Sequence, residues 1–133
     1  MPSQNEEMKT LPLPNGLVLT ITDLTTVVSG DLYLVHLEVL CPVRIKPEYL
    51  ASVPEKELQV FQSSTQGVVE YRRELTRRGV SERDVSRVKN EFYENFRQNS
   101  LPYLAEASFP GKFIQQRFNE WRKKRSSEFG VRK

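Results

Sequence analysis

The chain contains one histidine, His36, and one cysteine, Cys41, the residue types most often used as metal ligands or as a nucleophile–base pair. A zinc site takes about four nitrogen, sulfur or carboxylate ligands, so the usual combinations are unattainable. The two residues lie five positions apart within one predicted strand, which places their side chains on opposite faces. We therefore predict no metal site and no Cys–His pair, with Cys41 a small core residue and His36 a half-exposed sheet residue.

Other catalytic motifs are missing from the sequence as well. The six glycines are too scattered along the chain to form a phosphate-binding loop. Nothing in the spacing of Asp23, Glu55, Glu57 or Glu106 promotes a catalytic carboxylate pair. We expect no enzymatic activity, no catalytic residue and no cofactor.

Basic residues form two clusters in the C-terminal half of the chain. The first 66 residues carry four basic and eight acidic side chains, whereas the rest of the chain carries sixteen and nine. The candidate anion or nucleic-acid patch consists of Arg72, Arg73, Arg77, Arg78, Arg122, Lys123, Lys124 and Arg125. Such clusters can neutralise phosphates. Trp121 directly precedes the second cluster in the sequence, and its aromatic ring could stack on a base. However, Trp121 falls in an apolar helical stripe, and the interleaved Glu70, Glu74 and Glu120 would repel a phosphate backbone. The alternative interpretation is a helical half with solvated charged faces.

The element that should position these residues is a long β-hairpin over residues 17–45. Its two apolar, β-branched runs are separated by Ser29-Gly30-Asp31. A two-residue loop would pair positions whose numbers add to 59 and would split the apolar side chains between the two faces. A three-residue loop pairs positions that add to 60 and gathers them on one face, which we favour because one covered face fixes the register. Asp23 and Thr25 are the exceptions on that face and should lie at the end of the sheet or beside a bulge.

Three later segments complete the predicted fold. Residues 68–78 fit either a strand or a helix that ends at Gly79, and we favour a third strand because a bare two-stranded ribbon is marginally stable. Residues 81–98 and 109–125 are predicted to be amphipathic helices from the spacing of their apolar side chains. The sequence thus predicts an α+β fold, in which an antiparallel sheet of two or three strands is covered on one face by two C-terminal helices.

The length of 133 residues favours a single domain at residues 13–125, with a disordered N-terminus at 1–12 and a frayed basic tail at 126–133. No apolar run is long enough to span a membrane and the polar N-terminus is unlike a secretory signal, so we expect a cytoplasmic protein. We expect a non-catalytic protein-interaction or assembly module, with an unknown protein partner or self-association through the sheet. The alternative is a weak, sequence-nonspecific nucleic-acid binder that uses the basic clusters.

Three short segments carry a resemblance to other chains. They are Leu13-Pro14-Asn15-Gly16-Leu17, the Gly30-Asp31 turn leading into Leu32-Tyr33-Leu34-Val35, and Ser100-Leu101-Pro102-Tyr103-Leu104. In these segments the chain resembles short uncharacterised bacterial proteins, and the likeness covers most of residues 13–120. The resemblance implies no activity, cofactor or binding residue, so the functional expectations come from the residues themselves.

Overall fold

The computed structural model describes residues 8–128 of the chain, and their side chains up to Ser126. It has an α+β fold built on a five-stranded antiparallel sheet. The strands are β1 (Met8–Pro12), β2 (Val18–Asp23), β3 (Thr26–Ser29), β4 (Leu32–Arg44) and β5 (Val68–Ser81). The α-helices are α1 (Glu55–Thr65), α2 (Val85–Asn95), α3 (Leu101–Leu104) and α4 (Phe109–Glu128), with 3-10 helices at Pro47–Leu50 and Glu82–Asp84 and a π-helical turn at Phe96–Ser100. The predicted fold class is confirmed, and the sheet has more strands than predicted.

The chain divides into two compact units. The sheet unit comprises Met1–Cys41, described from residue 8 onward, and Glu70–Glu106. The helical unit comprises Pro42–Val69 and Ala107–Lys133, described as far as residue 128. The predicted single domain spans both units and stays a prediction.

The pairing of β4 with its neighbours has the register predicted from the alternation of apolar residues. Ile21 lies opposite Val39, so the paired residue numbers add to 60, and the first two pairs of β3 keep the same register. Val35, Leu37 and Val39 have no exposed surface. Since side chains alternate along a strand, the even-numbered residues of β4 face the other side of the sheet.

The turn between β3 and β4 is shorter than predicted. Ser29 pairs with Leu32, which leaves Gly30 and Asp31 as a two-residue turn, and the register shifts by one residue between Val27 and Ser29. A two-residue turn alone would shift the pairing by one residue and place the apolar side chains of the two strands on opposite faces. The bulge accommodates the extra residue, so the pairing in the core is unchanged. Gly30 has a φ of 56°, a conformation that glycine adopts at little cost. The predicted three-residue loop is therefore wrong, although the register it implied is correct.

The prediction of a disordered N-terminus is wrong for residues 8–12, which form β1 at the edge of the sheet. β1 pairs with β2 in an antiparallel ladder of five residue pairs, with Leu11 opposite Leu19. A tight turn connects β1 to β2 and places the two strands side by side, so β2 provides hydrogen-bond partners for the backbone groups of β1. Residues 1–7 lie outside the described part of the chain.

β5 is a strand, as predicted, and the helix alternative for residues 68–78 is wrong. Two contacts show that β5 runs antiparallel to β4. His36 contacts Glu74 and Glu38 contacts Arg72, so residue numbers fall along β5 as they rise along β4. Gly79, which would have ended the alternative helix, lies inside the strand with a φ of 68°.

Helix α2 lies on the core face of the sheet unit. Val88 of the helix packs in one cluster with Val35 of β4 and Val80 of β5, and the half-buried Phe92 packs against that cluster. The helix therefore covers part of the apolar face of β4, and the spacing of its apolar residues directs them toward the sheet.

The helix predicted for residues 81–98 is interrupted at both ends. A 3-10 turn precedes α2, and in the π-helical turn that follows it Leu101 N–H donates to the carbonyl of Phe96, five residues earlier. Pro102 has no N–H with which to continue α-helical hydrogen bonding, and the turn widens immediately before it.

Asp23 and Thr25, the polar exceptions on the core face, are buried at the break between β2 and β3. Thr25 N–H donates to Asp23 Oδ1 at 2.9 Å, and Lys89 Nζ lies 2.6 Å from Asp23 Oδ2. His36 N–H donates to Thr25 Oγ1 at 3.2 Å. Burial by itself would raise the pKa of Asp23, but hydrogen bonds from Lys89 and Thr25 hold that pKa below its usual value. These two residues lie at a break between two strands of the same register, so their predicted position at the end of the sheet or beside a bulge is wrong.

The helical unit is built around aromatic residues of α1 and α4. The Phe61 ring meets Phe118 edge-on at a centroid distance of 5.2 Å and Trp121 at 5.1 Å. Phe113, Ile114 and Phe118 are buried, as their spacing predicts, whereas Trp121 is half-buried. The apolar stripe of α4 is thus a packing stripe for most of its length, and its last aromatic residue reaches the surface.

Helix α4 begins at Phe109, as predicted, and ends later than predicted. Residues 126–128, assigned to the frayed tail, are helical, and residues 129–133 lie outside the described part of the chain. Near its start, a Cβ on Gly111 would lie 3.3 Å from the ring of Tyr49, so a residue without a side chain allows this close contact.

Replacing Lys89 by methionine should destabilise the protein by about 2–4 kcal/mol at pH 7, because it leaves the buried Asp23 carboxylate without its cation. In the wild type, the stability contributed by Asp23 is present above its unfolded pKa and is lost as the pH falls through its lowered folded pKa. In the variant, burial raises the pKa of Asp23, so Asp23 should become protonated in the folded state as the pH falls from 7 to 4. The loss in free energy of unfolding relative to the wild type should therefore be smaller at pH 4 than at pH 7. Urea unfolding at both pH values measures this difference.

Arg87→Met is the matched control, because Arg87 forms an exposed pair with Glu91 on the same helix. Its cost should stay below about 1 kcal/mol. A deficit for Lys89→Met that does not depend on pH, or that is no larger than that of Arg87→Met, would contradict the assignment.

Candidate functional site at the sheet edge

The backbone orientation of β1 follows from one hydrogen bond beside it. Leu13 N–H donates to the carbonyl of Leu17 at 2.8 Å, in the same register as the β1–β2 ladder. Hydrogen-bonded pairs alternate with non-hydrogen-bonded pairs along an antiparallel ladder. Lys9 and Leu11 therefore turn their backbone groups toward β2, and the residues between them turn theirs away from the sheet.

The outward positions of β1 are Met8, Thr10 and Pro12. Within the described residues no strand pairs with this side of β1. Pro12 has no N–H, and an outward position is where that lack costs no ladder hydrogen bond. β1 therefore presents the N–H groups of Met8 and Thr10, together with the carbonyls of all three residues, to any strand added beside it.

A cleft of about 310 Å³ opens between β1, α2 and the π-helical turn. Its apolar lining consists of Leu11, Ile21, Tyr93, Phe96 and Leu101, and its polar lining of Lys9, Asn90, Glu94 and Arg97. Lys9 Nζ lies 4.1 Å from the centroid of the Tyr93 ring. Arg97 donates to Glu94 at 2.6 Å, so its charge is balanced on the rim. The cleft thus combines an apolar wall with one cation that faces an aromatic ring.

The pleat of β1 relates this cleft to the open edge. Lys9 and Leu11 lie opposite Ile21 and Leu19, and paired residues share a face, so both side chains are on the core face next to α2. Side chains alternate along a strand. A strand added beside β1 would therefore place every second side chain over the cleft.

The other free edges of the sheet unit carry features that discourage strand pairing. β5 bears a run of charged side chains, including Arg72, Arg73 and Glu74. β3 has four residues and a bulge, although Val27 and Val28 are exposed on it. Among the described strands, β1 is the regular edge with few charges.

The four arginines of β5 in the predicted anion-binding patch are exposed, but most of them hold partners. Arg72 donates to Glu38 at 2.5 Å and to Glu74 at 3.2 Å. The further contacts are Arg73 with Ser100 at 2.6 Å and Arg77 with Glu91 at 3.2 Å, while Arg78 is exposed. Carboxylates balance the charges of Arg72 and Arg77, whereas Arg73 contacts a neutral hydroxyl, so about half of the positive charge of this cluster is already paired.

The second predicted basic cluster lies on the last turns of α4 in the helical unit. Arg122 donates to Glu57 of α1 at 2.6 Å. The guanidinium of Arg125 lies 4.9 Å from the centroid of the Trp121 ring. The two lysines between these arginines are exposed. This cluster contains more positive than negative charge.

His36 and Cys41 lie where the sequence predicts. The half-buried imidazole of His36 donates to Glu74 Oε1 at 3.0 Å on the polar face of the sheet, whereas Cys41 is fully buried. Burial raises the pKa of the Cys41 thiol to about 11. Across residues 8–126, no group of three or more His, Cys, Asp or Glu side chains is placed to hold a metal ion.

Sequence reasoning missed β1 and its cleft. The signal for β1 was the turn at residues 13–16, since a tight turn ahead of one strand implies a strand before it. Comparison with protein-family models, with curated proteins and with solved structures finds no match. Among the described helices, none is both long enough and apolar enough to cross a membrane.

Cys41 should resist thiol reagents while the protein is folded. With a pKa of about 11, its thiolate fraction at pH 8 is about one in a thousand, and burial blocks access as well. Ellman's reagent at pH 8 should leave the native protein unmodified over an hour and should titrate one thiol in 6 M guanidinium chloride. Complete labelling of the native protein within minutes would contradict the buried placement.

Proposed function

We propose that the protein is a non-catalytic interaction module that binds an extended segment of a partner protein at the outer edge of β1. The segment adds to the sheet as a further strand and places one or two side chains in the cleft beside α2. The observation that supports this most strongly is the outward orientation of the Met8 and Thr10 amides next to an apolar cleft.

Backbone pairing provides the part of the affinity that does not depend on the partner's sequence. The edge offers two N–H donors, from Met8 and Thr10, and each net hydrogen bond contributes about 1 kcal/mol. A strand of five residues is too short to hold a segment by pairing alone. The cleft therefore has to contribute through burial of apolar surface.

The lining of the cleft indicates which segment fits. Leu11, Tyr93 and Phe96 form a wall for an apolar side chain. Lys9 stands on the same face of the edge and favours a carboxylate. Because side chains on one face of a strand are two positions apart, we expect an apolar residue separated from an acidic one by a single residue.

The scaffold in this proposal is the long hairpin with α2 on its apolar face. The sequence predicts that both C-terminal helices cover the sheet, and for α4 this stays a prediction. We also propose a cytoplasmic location, which is compatible with a single thiol that has no disulfide partner in the chain.

Thr10→Pro should weaken peptide binding, because it removes an outward N–H without removing a hydrogen bond of the β1–β2 ladder. The probe is a phage-displayed library of random twelve-residue peptides, selected on the wild-type protein. Selected peptides should bind Thr10→Pro at least tenfold more weakly in a titration. Their sequences should share an apolar residue two positions from an acidic one.

Thr10→Val is the control, because it keeps the N–H and should bind as the wild type does. Circular dichroism melting curves of the three proteins establish that each is folded. Failure to select any peptide, or selection of peptides that bind Thr10→Pro equally well, would contradict the proposal. So would a wild-type dimer that Thr10→Pro converts to a monomer, because the added strand would then come from a second copy.

A further inference from the structure

A second cleft, of about 350 Å³, lies between α1 and α4 in the helical unit. As far as the side chains are described, three cations line it, namely Lys56, Arg122 and Arg125. Its apolar lining comes from Val60 and Trp121. The combination differs from the cleft beside β1, where one cation faces an aromatic ring.

Positive charge exceeds negative charge around this second cleft. Among the described residues that line it, Glu57 is the one carboxylate, and Arg122 donates to it at 2.6 Å. Lys123 and Lys124 follow directly on α4 and are exposed. The surroundings therefore suit a ligand that carries several negative charges.

The apolar part of the cleft suits a planar group. Trp121 packs on Phe61 at a centroid distance of 5.1 Å, and the guanidinium of Arg125 lies 4.9 Å from the Trp121 ring. Val60 is 45% exposed beside them, a large exposure for a valine. An aromatic ring with a stacked guanidinium is a surface on which nucleic-acid bases stack.

We infer that this cleft binds single-stranded nucleic acid. One base lies against Val60 and the Trp121–Arg125 pair, and the neighbouring phosphates are neutralised by Lys56 and Arg122, which line the cleft. A base in a duplex is paired and stacked and cannot enter a cleft between two helices. This binding uses no residue of the sheet unit and is independent of the function proposed for β1.

The test uses a dye-labelled oligothymidylate of twelve nucleotides and the full-length protein. Anisotropy of the dye reports binding, and the emission of Trp121, the one tryptophan of the chain, reports occupation of the cleft. With three or four phosphates contacted, raising the salt concentration from 50 to 200 mM should weaken binding by about 20- to 50-fold. A duplex of the same length should bind at least tenfold more weakly, and Trp121 emission should change only with the single strand.

Three variants locate the binding site. Joint replacement of Lys56→Glu and Arg122→Glu, two lining cations, should weaken single-strand binding at least tenfold at 50 mM salt. Joint replacement of Arg78→Glu and Arg83→Glu changes the net charge equally at exposed positions of the sheet unit, and should leave Kd within twofold. Val60→Glu puts a carboxylate into the cleft at an exposed position that tolerates a polar side chain, and should also weaken binding at least tenfold.

Four results would overturn the inference. The first is absence of binding by the wild-type protein at 50 mM salt. The second is binding without a change in Trp121 emission, and the third is an equal effect of the two double charge reversals. The fourth is binding of the duplex as tightly as of the single strand, which would indicate attraction to charge alone.

Discussion

The register of β4 against β2 and β3 is the constraint on which the sheet unit depends. It places Val35, Leu37 and Val39 in the core, and a slip by one residue would bury His36 and Glu38 in their place. The bulge before the Gly30-Asp31 turn preserves this register at the tip of the hairpin. At the break between β2 and β3, the backbone N–H groups of Thr25 and His36 donate to the side-chain oxygens of Asp23 and Thr25 in place of ladder bonds. The Asp23 carboxylate also contacts Lys89 of α2. The ion pair between Asp23 at this break and Lys89 therefore also holds α2 against the sheet.

The position of that helix determines the candidate binding cleft. α2 is held against β4 and β5 by Val88 and Phe92, so its next turn brings Tyr93 and Phe96 toward β1. The π-helical turn ahead of Pro102 widens the backbone at the wall of the cleft, and such turns occur often at functional sites. The turn between β1 and β2 is fixed as well, because the Asn15 side chain donates to the carbonyls of Leu104 and Glu106 at 2.8 Å. The edge and the cleft are thus held by the same packing that forms the core.

The sequence was sufficient for the features that depend on alternation and spacing. The odd-numbered residues of β4 specify one face, and that pattern predicts the register without knowledge of the turn. β1 was missed because residues 8–12 show no alternation and end in a proline, so their strand conformation comes from pairing with β2. The clefts could not be predicted, because each requires side chains from elements far apart in sequence to meet. The balance of charge on the β5 arginines was equally hidden, since Arg72 finds Glu38 through strand pairing.

The claim that one side of β1 is bonded and the other is open is tested most directly by amide hydrogen exchange. In the uncomplexed protein, the account predicts slow exchange for the N–H groups of Lys9 and Leu11, which bond to β2, and exchange near the unfolded rate for Met8 and Thr10. Slow exchange at Met8 and Thr10 would contradict the account, because the outer edge would already be occupied. Fast exchange at Lys9 and Leu11 would contradict it as well, because β1 would then not be paired with the sheet.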